Sequence, residues 1–226
     1  MSGGLSNPDH AILRRSGQAL VIGLLCFFGY SPKDGLSAKE PPTHSAVIRA
    51  AIPSAPHEQW ALDLWGGSMW SFGSRATPLD YTLLSALPSV RTPSHLRWSL
   101  GDGDLVVRAR FGLLLQPIIE GPESYFLGVI GGPSIEWWSP NHKTALLLSA
   151  GGGVGWLDSR GQEIEGAQGQ DFNLTWYAMT GIEHRFGENW GVMAGAWYQH
   201  ISNGGMAAPN PGIDAIGPMI GVTWSF

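Results

Sequence analysis

Apolar and polar side chains alternate in segment after segment from Gln59 to the carboxyl terminus. In the last segment, 214–226, the even positions include Ile216, Ile220 and Trp224, whereas the odd positions are mostly small or polar. Successive side chains of a β-strand point to opposite faces, whereas a helix needs a period near 3.6 residues. The pattern therefore predicts an all-β fold. We predict eight strands, at about 59–72, 79–91, 96–116, 124–137, 143–157, 171–186, 189–202 and 213–226.

Charged residues fall on the faces opposite the apolar ones. Arg108 and Arg110 alternate with Leu, Val and Ala, while Asp63 and Glu136 each stand between apolar neighbours. In a soluble sandwich the apolar face would point inward, whereas in a membrane barrel it faces lipid. Charges of both signs must then pair inside a narrow lumen. Eight segments, an even number, predict an eight-stranded antiparallel transmembrane β-barrel.

Composition supports this fold and excludes other classes. Only 14% of the residues are charged although 43% are hydrophobic, and the chain contains 32 glycines. A formal net charge of −5 argues against nucleic-acid binding, because the chain lacks the basic excess that displaces counterions. The single cysteine, Cys26, excludes an internal disulfide and a cysteine-based zinc site.

The amino-terminal region has the character of a secretory signal. Arg14 and Arg15 precede an uncharged run at 19–30, which is too short to cross a bilayer of about 30 Å as a helix. Small residues follow near Ser37 and Ala38. We predict a signal peptide at 1–38, a mobile Pro- and Ala-rich lead-in at 39–56, and the barrel at 57–226.

The lengths of the predicted connections suggest an orientation. With both termini in the periplasm, the polar stretch 158–170 is an extracellular loop and 187–189 is a short periplasmic turn. Five tryptophans near strand ends suggest aromatic girdles at the membrane interfaces: Trp60, Trp137, Trp138, Trp156 and Trp190. The terminal Phe226 resembles the aromatic residue by which the barrel-assembly machinery recognises outer-membrane barrels.

Three residues of the last two strands form a candidate site. His200 and Ser202 are two apart, so their side chains share the lipid-facing side of a strand, about 6.6 Å apart at their roots. In an antiparallel pair centred near Ala207, His200 lies opposite Asp214. A hydroxyl, an imidazole and a carboxylate are the parts of an activated nucleophile. Such polar groups are expensive on a lipid face, which favours a functional role over chance.

The residues around this site resemble a known family. His-Ile-Ser-Asn-Gly-Gly at 200–205, Pro-Asn-Pro-Gly at 209–212 and the acidic Asp214 are similar to the carboxyl-terminal signature of lipid A 3-O-deacylases (PagL-like). The resemblance is carried by 197–226 and supported upstream by the strand pattern. It implies an eight-stranded outer-membrane enzyme that removes the ester-linked 3-hydroxyacyl chain from position 3 of lipid A in lipopolysaccharide.

The resemblance also implies residue roles. Ser202 would be the nucleophile, His200 the general base and Asp214 the third member, and no metal or other cofactor is needed. Asn203, Gly204 and Asn210 match signature positions that would help to stabilise an oxyanion. Asp214 departs from the family, since its best-known members have Glu there, and we expect the shorter side chain to affect the rate more than the reaction type.

Other functions stay open at this stage. A non-catalytic outer-membrane barrel with a structural or adhesion role would keep the same signature without turnover. A soluble periplasmic β-sandwich would bury its apolar faces against each other. A pore is less favoured, because a barrel of about eight strands encloses no continuous water channel. The sequence does not indicate an oligomeric state.

Overall fold

The alternating segments form antiparallel strands in the computed structural model, which describes residues 55–72 and 78–226. A 3-10 turn at Pro56–Glu58 precedes the first strand. The predicted signal peptide and the lead-in up to residue 54 lie outside the described residues. The strands are β1 (Ala61–Ser71), β2 (Thr82–Arg91), β3 (Leu96–Leu100), β4 (Gly103–Glu120), β5 (Tyr125–Trp138), β6 (Thr144–Leu157), β7 (Phe172–Arg185), β8 (Trp190–Ser202) and β9 (Ile213–Ser225).

The sheet closes on itself. β1 pairs with both β2 and β9, the remaining strands pair in sequence back to β4, and β2 pairs with β4 to complete the ring. β2 and β3 pair with successive parts of β4, since Arg91 is opposite Arg110 and Leu96 is opposite Val107. The architecture is therefore a closed eight-stranded antiparallel barrel with one extra short strand, which confirms the predicted fold class.

The predicted single strand at 96–116 is wrong. The chain turns at Gly101, whose φ is +63°, and β3 and β4 form a tight hairpin. Apolar and polar side chains alternate both before and after Gly101. Before the turn the apolar residues are at even positions, such as Trp98 and Leu100, and after it they are at odd positions, such as Leu105 and Val107. A reversal of chain direction through a Gly-Asp-Gly turn is the physical cause of this change of phase.

Charged side chains meet inside the barrel as the alternation predicts. Arg91 lies at the centre of a network, and its guanidinium nitrogens are 2.8 Å from each of three carboxylates: Asp63, Glu136 and Glu183. The same carboxylates also bind Arg108, Arg110 and Arg185. Each of these seven side chains is at most 3% exposed. Opposite charges thus compensate each other where water is excluded.

The rest of the lumen is filled by neutral side chains. Tyr177 and Trp197 stack with ring centroids 4.5 Å apart, and the side-chain amides of Gln116 and Gln199 exchange two hydrogen bonds. Trp138 is fully buried and donates to Glu136, so its assignment to an interface girdle is wrong: its position in β5 turns the indole inward.

The outer wall is apolar. Exposed side chains include Leu64, Leu148 and Ile220, the last of which is 71% exposed. A charged interior and an apolar exterior invert the arrangement of a soluble protein and match a barrel surrounded by lipid. The soluble β-sandwich is wrong, because the single sheet closes and leaves its apolar face outside. Residues 55–72 and 78–226 contain no helix long and apolar enough to cross a membrane.

Candidate active site

Strands β8 and β9 bring the candidate residues together at one end of the barrel. β8 ends at Ser202, the chain crosses a loop at 203–212, and His200 pairs directly with Asp214. The neighbouring side chains of Gln199 and Ile201 are buried in the lumen, so the two-residue period places His200 and Ser202 on the outer wall. This is the pairing and the face that the sequence predicts.

The three side chains form one line of hydrogen bonds. His200 Nδ1 is 2.8 Å from Asp214 Oδ1, and His200 Nε2 is 3.0 Å from Ser202 Oγ. The carboxylate can hold the proton on Nδ1, which leaves Nε2 free to accept the hydroxyl proton. The imidazole is 21% exposed and the carboxylate 11% exposed, so both are sheltered yet lie at the surface. The arrangement is suited to activating a hydroxyl nucleophile.

Two aromatic residues that the sequence analysis did not assign to the site contact this line. The Tyr198 hydroxyl donates to Asp214 Oδ1 at 2.6 Å. The indole of Trp176 lies against the His200 ring, with centroids 5.8 Å apart and planes 29° apart. A signal for Tyr198 was available, since it lies two residues before His200 and therefore on the same face. Trp176 could be found only from the register of β7, which pairs it with His200.

The loop after Ser202 is held by Asn203, which is fully buried. Its amide nitrogen donates to Asn210 Oδ1, while its side-chain nitrogen donates to two loop carbonyls, those of Ala207 and Pro209. Its side-chain oxygen accepts from the Gly205 amide. Asn203 thus uses its donors within the loop, which indicates a structural role, and its contact with an oxyanion stays a prediction.

The remaining oxyanion candidates are Gly204 and Asn210. Gly204 follows Asn203 with a φ of +64°, a conformation that favours glycine. Its amide has no hydrogen-bond partner among the described residues. The side chain of Asn210 contacts Asn203 through its oxygen, so its amino group is directed elsewhere. Of the three predicted oxyanion donors, Gly204 and Asn210 therefore keep a donor that is not used within the loop.

A second loop, at 158–171, supports the first. The Gly169 amide donates to the Pro209 carbonyl at 3.0 Å, which joins the two loops next to the site. Within the second loop the hydroxyl and the amide of Ser159 both donate to Asp171 Oδ1. These hydrogen bonds hold the pKa of the Asp171 carboxyl below its ordinary value. In the described part of the chain, no three His, Cys, Asp or Glu residues are grouped to hold a metal ion.

One solved structure shares this architecture, and a second was found with a lower score. A crystal structure of the outer membrane enzyme PagL is similar with a TM-score of 0.50 at 17% identity, covering 71% of this chain and 97% of that one. The Yersinia pestis outer membrane protein Ail, in a phospholipid bilayer nanodisc, has a TM-score of 0.36 at 15% identity, covering 75% and 99%. At such identities the likeness to the PagL crystal structure shows a common fold. No curated protein sequence matches the chain.

The family comparison goes further than the fold. The sequence profile described as lipid A 3-O-deacylase (PagL) matches residues 89–223, which is more than half of the 226 residues. The matched region extends from the end of β2 into β9 and includes the hydrogen-bonded line of Asp214, His200 and Ser202. The chain belongs to the lipid A 3-O-deacylase (PagL) family.

Proposed function

We propose that this protein is an outer-membrane lipid A 3-O-deacylase that works as a serine esterase. The observation that supports the mechanism is the hydrogen-bonded line Asp214–His200–Ser202 on the outward face of the barrel wall. Membership of the family supports the substrate class, which is lipid A in lipopolysaccharide. The finer assignment, to the ester of the 3-hydroxyacyl chain at position 3, rests on the reaction that the family carries out.

The position of the line suits a substrate that lies in a membrane leaflet. The neighbouring outward side chains of Leu174, Trp176 and Ile216 are apolar and between 40% and 47% exposed. An acyl chain can lie on such a surface without losing its lipid surroundings, while its ester group meets Ser202. A histidine and a carboxylate in this position are costly without a function.

The lengths of the connections support an orientation with this end of the barrel outside the cell. The site lies at the end with the long loops 158–171 and 203–212, whereas the opposite end has the two-residue turn at Gly101 and Asp102 and the short links 139–143 and 186–189. Outer-membrane barrels have short periplasmic turns and longer extracellular loops. The proposed substrate would therefore be met in the outer leaflet.

In the first step Ser202 Oγ attacks the acyl carbonyl carbon while its proton moves to His200 Nε2. The negative charge that develops on the carbonyl oxygen is met by the Gly204 amide and by the Asn210 side chain. The bond between the carbonyl carbon and the sugar O3 then breaks. The proton on Nε2 passes to the leaving O3, which leaves the acyl group on Ser202.

In the second step water attacks the acyl-enzyme. His200 Nε2 takes one proton from the water as its oxygen bonds to the carbonyl carbon. The bond to Ser202 Oγ then breaks and the same proton returns to Oγ, which releases the 3-hydroxy fatty acid. Asp214 keeps its charge throughout and stabilises the imidazolium that forms in both steps.

Ser202→Ala is the central test of this proposal. Lipid A from cells that carry the intact protein should lack one 3-hydroxyacyl chain by mass spectrometry, and the variant should reduce release of that acid at least about 1000-fold. Ser99→Ala is the matched control, because Ser99 is exposed on β3 at the opposite end of the barrel. It should act like the intact protein.

Two outcomes would contradict the proposal in different ways. Unchanged lipid A in cells with the intact, folded protein would favour the non-catalytic barrel. Full release of the fatty acid by Ser202→Ala would keep the activity but reject Ser202 as the nucleophile.

The contact of Phe226 with the barrel-assembly machinery stays a separate prediction, which deletion of that residue and fractionation of the outer membrane would test.

A further inference from the structure

The carboxylate next to His200 has a second donor on the wall of the barrel. Asp214 Oδ1 accepts from the Tyr198 hydroxyl at 2.6 Å and lies 2.8 Å from His200 Nδ1. The register explains this convergence: His200 is directly opposite Asp214, and Tyr198 is opposite Ile216, which makes Tyr198 the diagonal neighbour of Asp214. Long side chains reach such a diagonal position across an antiparallel pair.

The phenol ring is itself held in place. Tyr198 packs between Trp176, at a centroid distance of 4.8 Å, and Phe72, at 5.9 Å. Rings on both sides restrict rotation of the tyrosine side chain, so its hydroxyl is directed at the carboxylate before any substrate binds. A donor that is fixed in advance loses little conformational freedom when it forms its bond.

A fixed carboxylate matters for the reaction proposed above. Asp214 orients the imidazole only while one of its oxygens lies close to Nδ1 and near the plane of the ring. A hydrogen bond from a neutral hydroxyl to a carboxylate is charge-assisted and therefore resists rotation of that group. Displacements of about 1 Å in such a line reduce the rate about 100-fold.

We propose that Tyr198 is a positioning residue of the active site, which holds Asp214 Oδ1 against His200 so that the imidazole presents Nε2 to Ser202. The inference rests on the proposed function, because it assigns Tyr198 a role in that reaction. Tyr198 does not touch the reacting atoms. A purely structural tyrosine would act through its packing against Trp176 and Phe72, which Tyr198→Phe preserves.

The first experiment compares Tyr198→Phe with Tyr125→Phe in the full chain, using release of 3-hydroxy fatty acid from lipopolysaccharide. Tyr125 is the matched control because it is 39% exposed on β5, a strand that pairs with neither β8 nor β9. Tyr198→Phe should lower kcat about tenfold with KM changed less than about twofold, as expected for a lost hydrogen bond to a charged group. Tyr125→Phe should match the intact protein.

The second experiment asks whether Tyr198 acts through Asp214. In an Asp214→Ala background the hydroxyl has no carboxylate to hold, so adding Tyr198→Phe should change the residual rate less than about twofold. An equal tenfold loss in both backgrounds would overturn the inference, because it would mean that Tyr198 acts independently of the carboxylate.

The third experiment does not depend on lipid A. Nuclear magnetic resonance of detergent-solubilised protein with nitrogen-15 histidine should show a protonated Nδ1 for His200, assigned by its loss in His200→Gln. In Tyr198→Phe that signal should weaken through exchange, whereas Tyr125→Phe should keep it. An unchanged His200 signal in Tyr198→Phe would overturn the inference whatever the activity. If the expected difference appears but the intact protein releases no fatty acid, the positioning role stands and the proposed substrate is rejected.

Discussion

The network around Arg91 in the lumen and the line through His200 on the wall are built from similar parts. In both, a carboxylate oxygen lies 2.8 Å from a nitrogen of a basic side chain. Their surroundings differ. Arg91 and its three carboxylates are at most 1% exposed, whereas the His200 imidazole is 21% exposed and ends at a hydroxyl. The same contact therefore serves two different purposes in one barrel.

The bases explain the difference in chemistry. A guanidinium stays protonated in proteins, so the Arg91 network can neutralise charge but cannot accept a proton. An imidazole gains and loses a proton near neutral pH, so His200 can take one from Ser202 and return it. Buried charge alone is thus a poor indicator of a catalytic site, whereas a titratable base beside a reachable nucleophile is a good one.

Neutralising one carboxylate in each region should separate the two roles, and the largest effect is expected on the wall. Asp214→Asn should lower kcat about 1000- to 10,000-fold, because the imidazole loses both its orientation and the charge that stabilises its protonated form. The free energy of unfolding should change little, since the carboxamide fits the same space. Fatty acid release and urea unfolding of the same samples provide the two measurements.

The matched change in the lumen is Glu183→Gln. It should keep kcat within about threefold in the folded protein and lower the free energy of unfolding instead, because it leaves arginine charge uncompensated. If Glu183→Gln were fully folded but inactive, the separation between the two regions would be wrong, because the network in the lumen would then take part in the reaction.

Removing the central cation of the lumen should have the next largest effect. Arg91→Met takes one guanidinium from three carboxylates and should lower the free energy of unfolding by about 3–5 kcal/mol. The measurement is urea unfolding in lipid vesicles, followed by tryptophan fluorescence. Met193→Leu, a change of similar volume in the lumen, is the control and should cost less than about 1.5 kcal/mol. A stability equal to that of the control would mean that the network contributes little.

The sequence was informative where the two-residue period decides the answer. Alternation alone separates the inward Asp63 and Glu136 from the outward apolar residues, and it places His200 and Ser202 together on the wall. The pairing of His200 with Asp214 also followed, because the intervening loop fixes which residues can face each other. These properties depend on local order along the chain.

The two-residue period does not predict features that depend on a reversal of chain direction or on the conformation of a loop. The turn at Gly101 was overlooked because apolar residues alternate on both sides of it, and only their change of phase marks the reversal. Arg91 lies at the end of a predicted strand, so nothing local shows that it is a centre for three carboxylates. The role of Asn203 depends on four hydrogen bonds within a loop that has no period.

An uncharged pair in the lumen tests how much buried hydrogen bonds without ion pairs contribute to the free energy of unfolding, and the expected effect is smaller. Gln116 and Gln199 are at most 1% exposed and exchange two hydrogen bonds. Gln199→Leu should lower the free energy of unfolding by about 1–3 kcal/mol, because the Gln116 amide loses both bonds to Gln199 and keeps only the one to Ser85 Oγ. The double variant with Gln116→Leu should recover much of that loss. Urea unfolding of the four proteins tests this, and additive losses would show that the two amides act separately.

The smallest effect is expected for a carboxylate that belongs to neither region. Asp171 accepts from the hydroxyl and the amide of Ser159, and these bonds hold its pKa below the ordinary value of 3.8. A carboxyl with a lowered pKa in the folded state stabilises the loop above its ordinary pKa, and this contribution disappears as the pH falls through the lowered value. Amide hydrogen exchange in 158–171 should therefore show more opening at about pH 3 than at about pH 6, after correction for intrinsic rates.

Asp171→Asn should remove the part of that difference that comes from the bonds of Ser159 to Asp171. The variant loses the Asp171 charge at every pH, so its loop should already be more open at about pH 6 and should change less on acidification. The change that is left comes from Asp158, whose pKa is also held below its ordinary value by hydrogen bonds from the Ser124 and Tyr125 amides. Glu165→Gln removes a charge from the same loop and should behave like the intact protein. Hydrogen exchange of the Gly169 amide also shows whether the two loops stay joined, because this amide donates to the Pro209 carbonyl of the loop that follows Ser202. If Gly169 opens in Asp171→Asn while fatty acid release stays unchanged, the second loop does not contribute to the reaction, and its bond to the loop after Ser202 is not needed to hold the site.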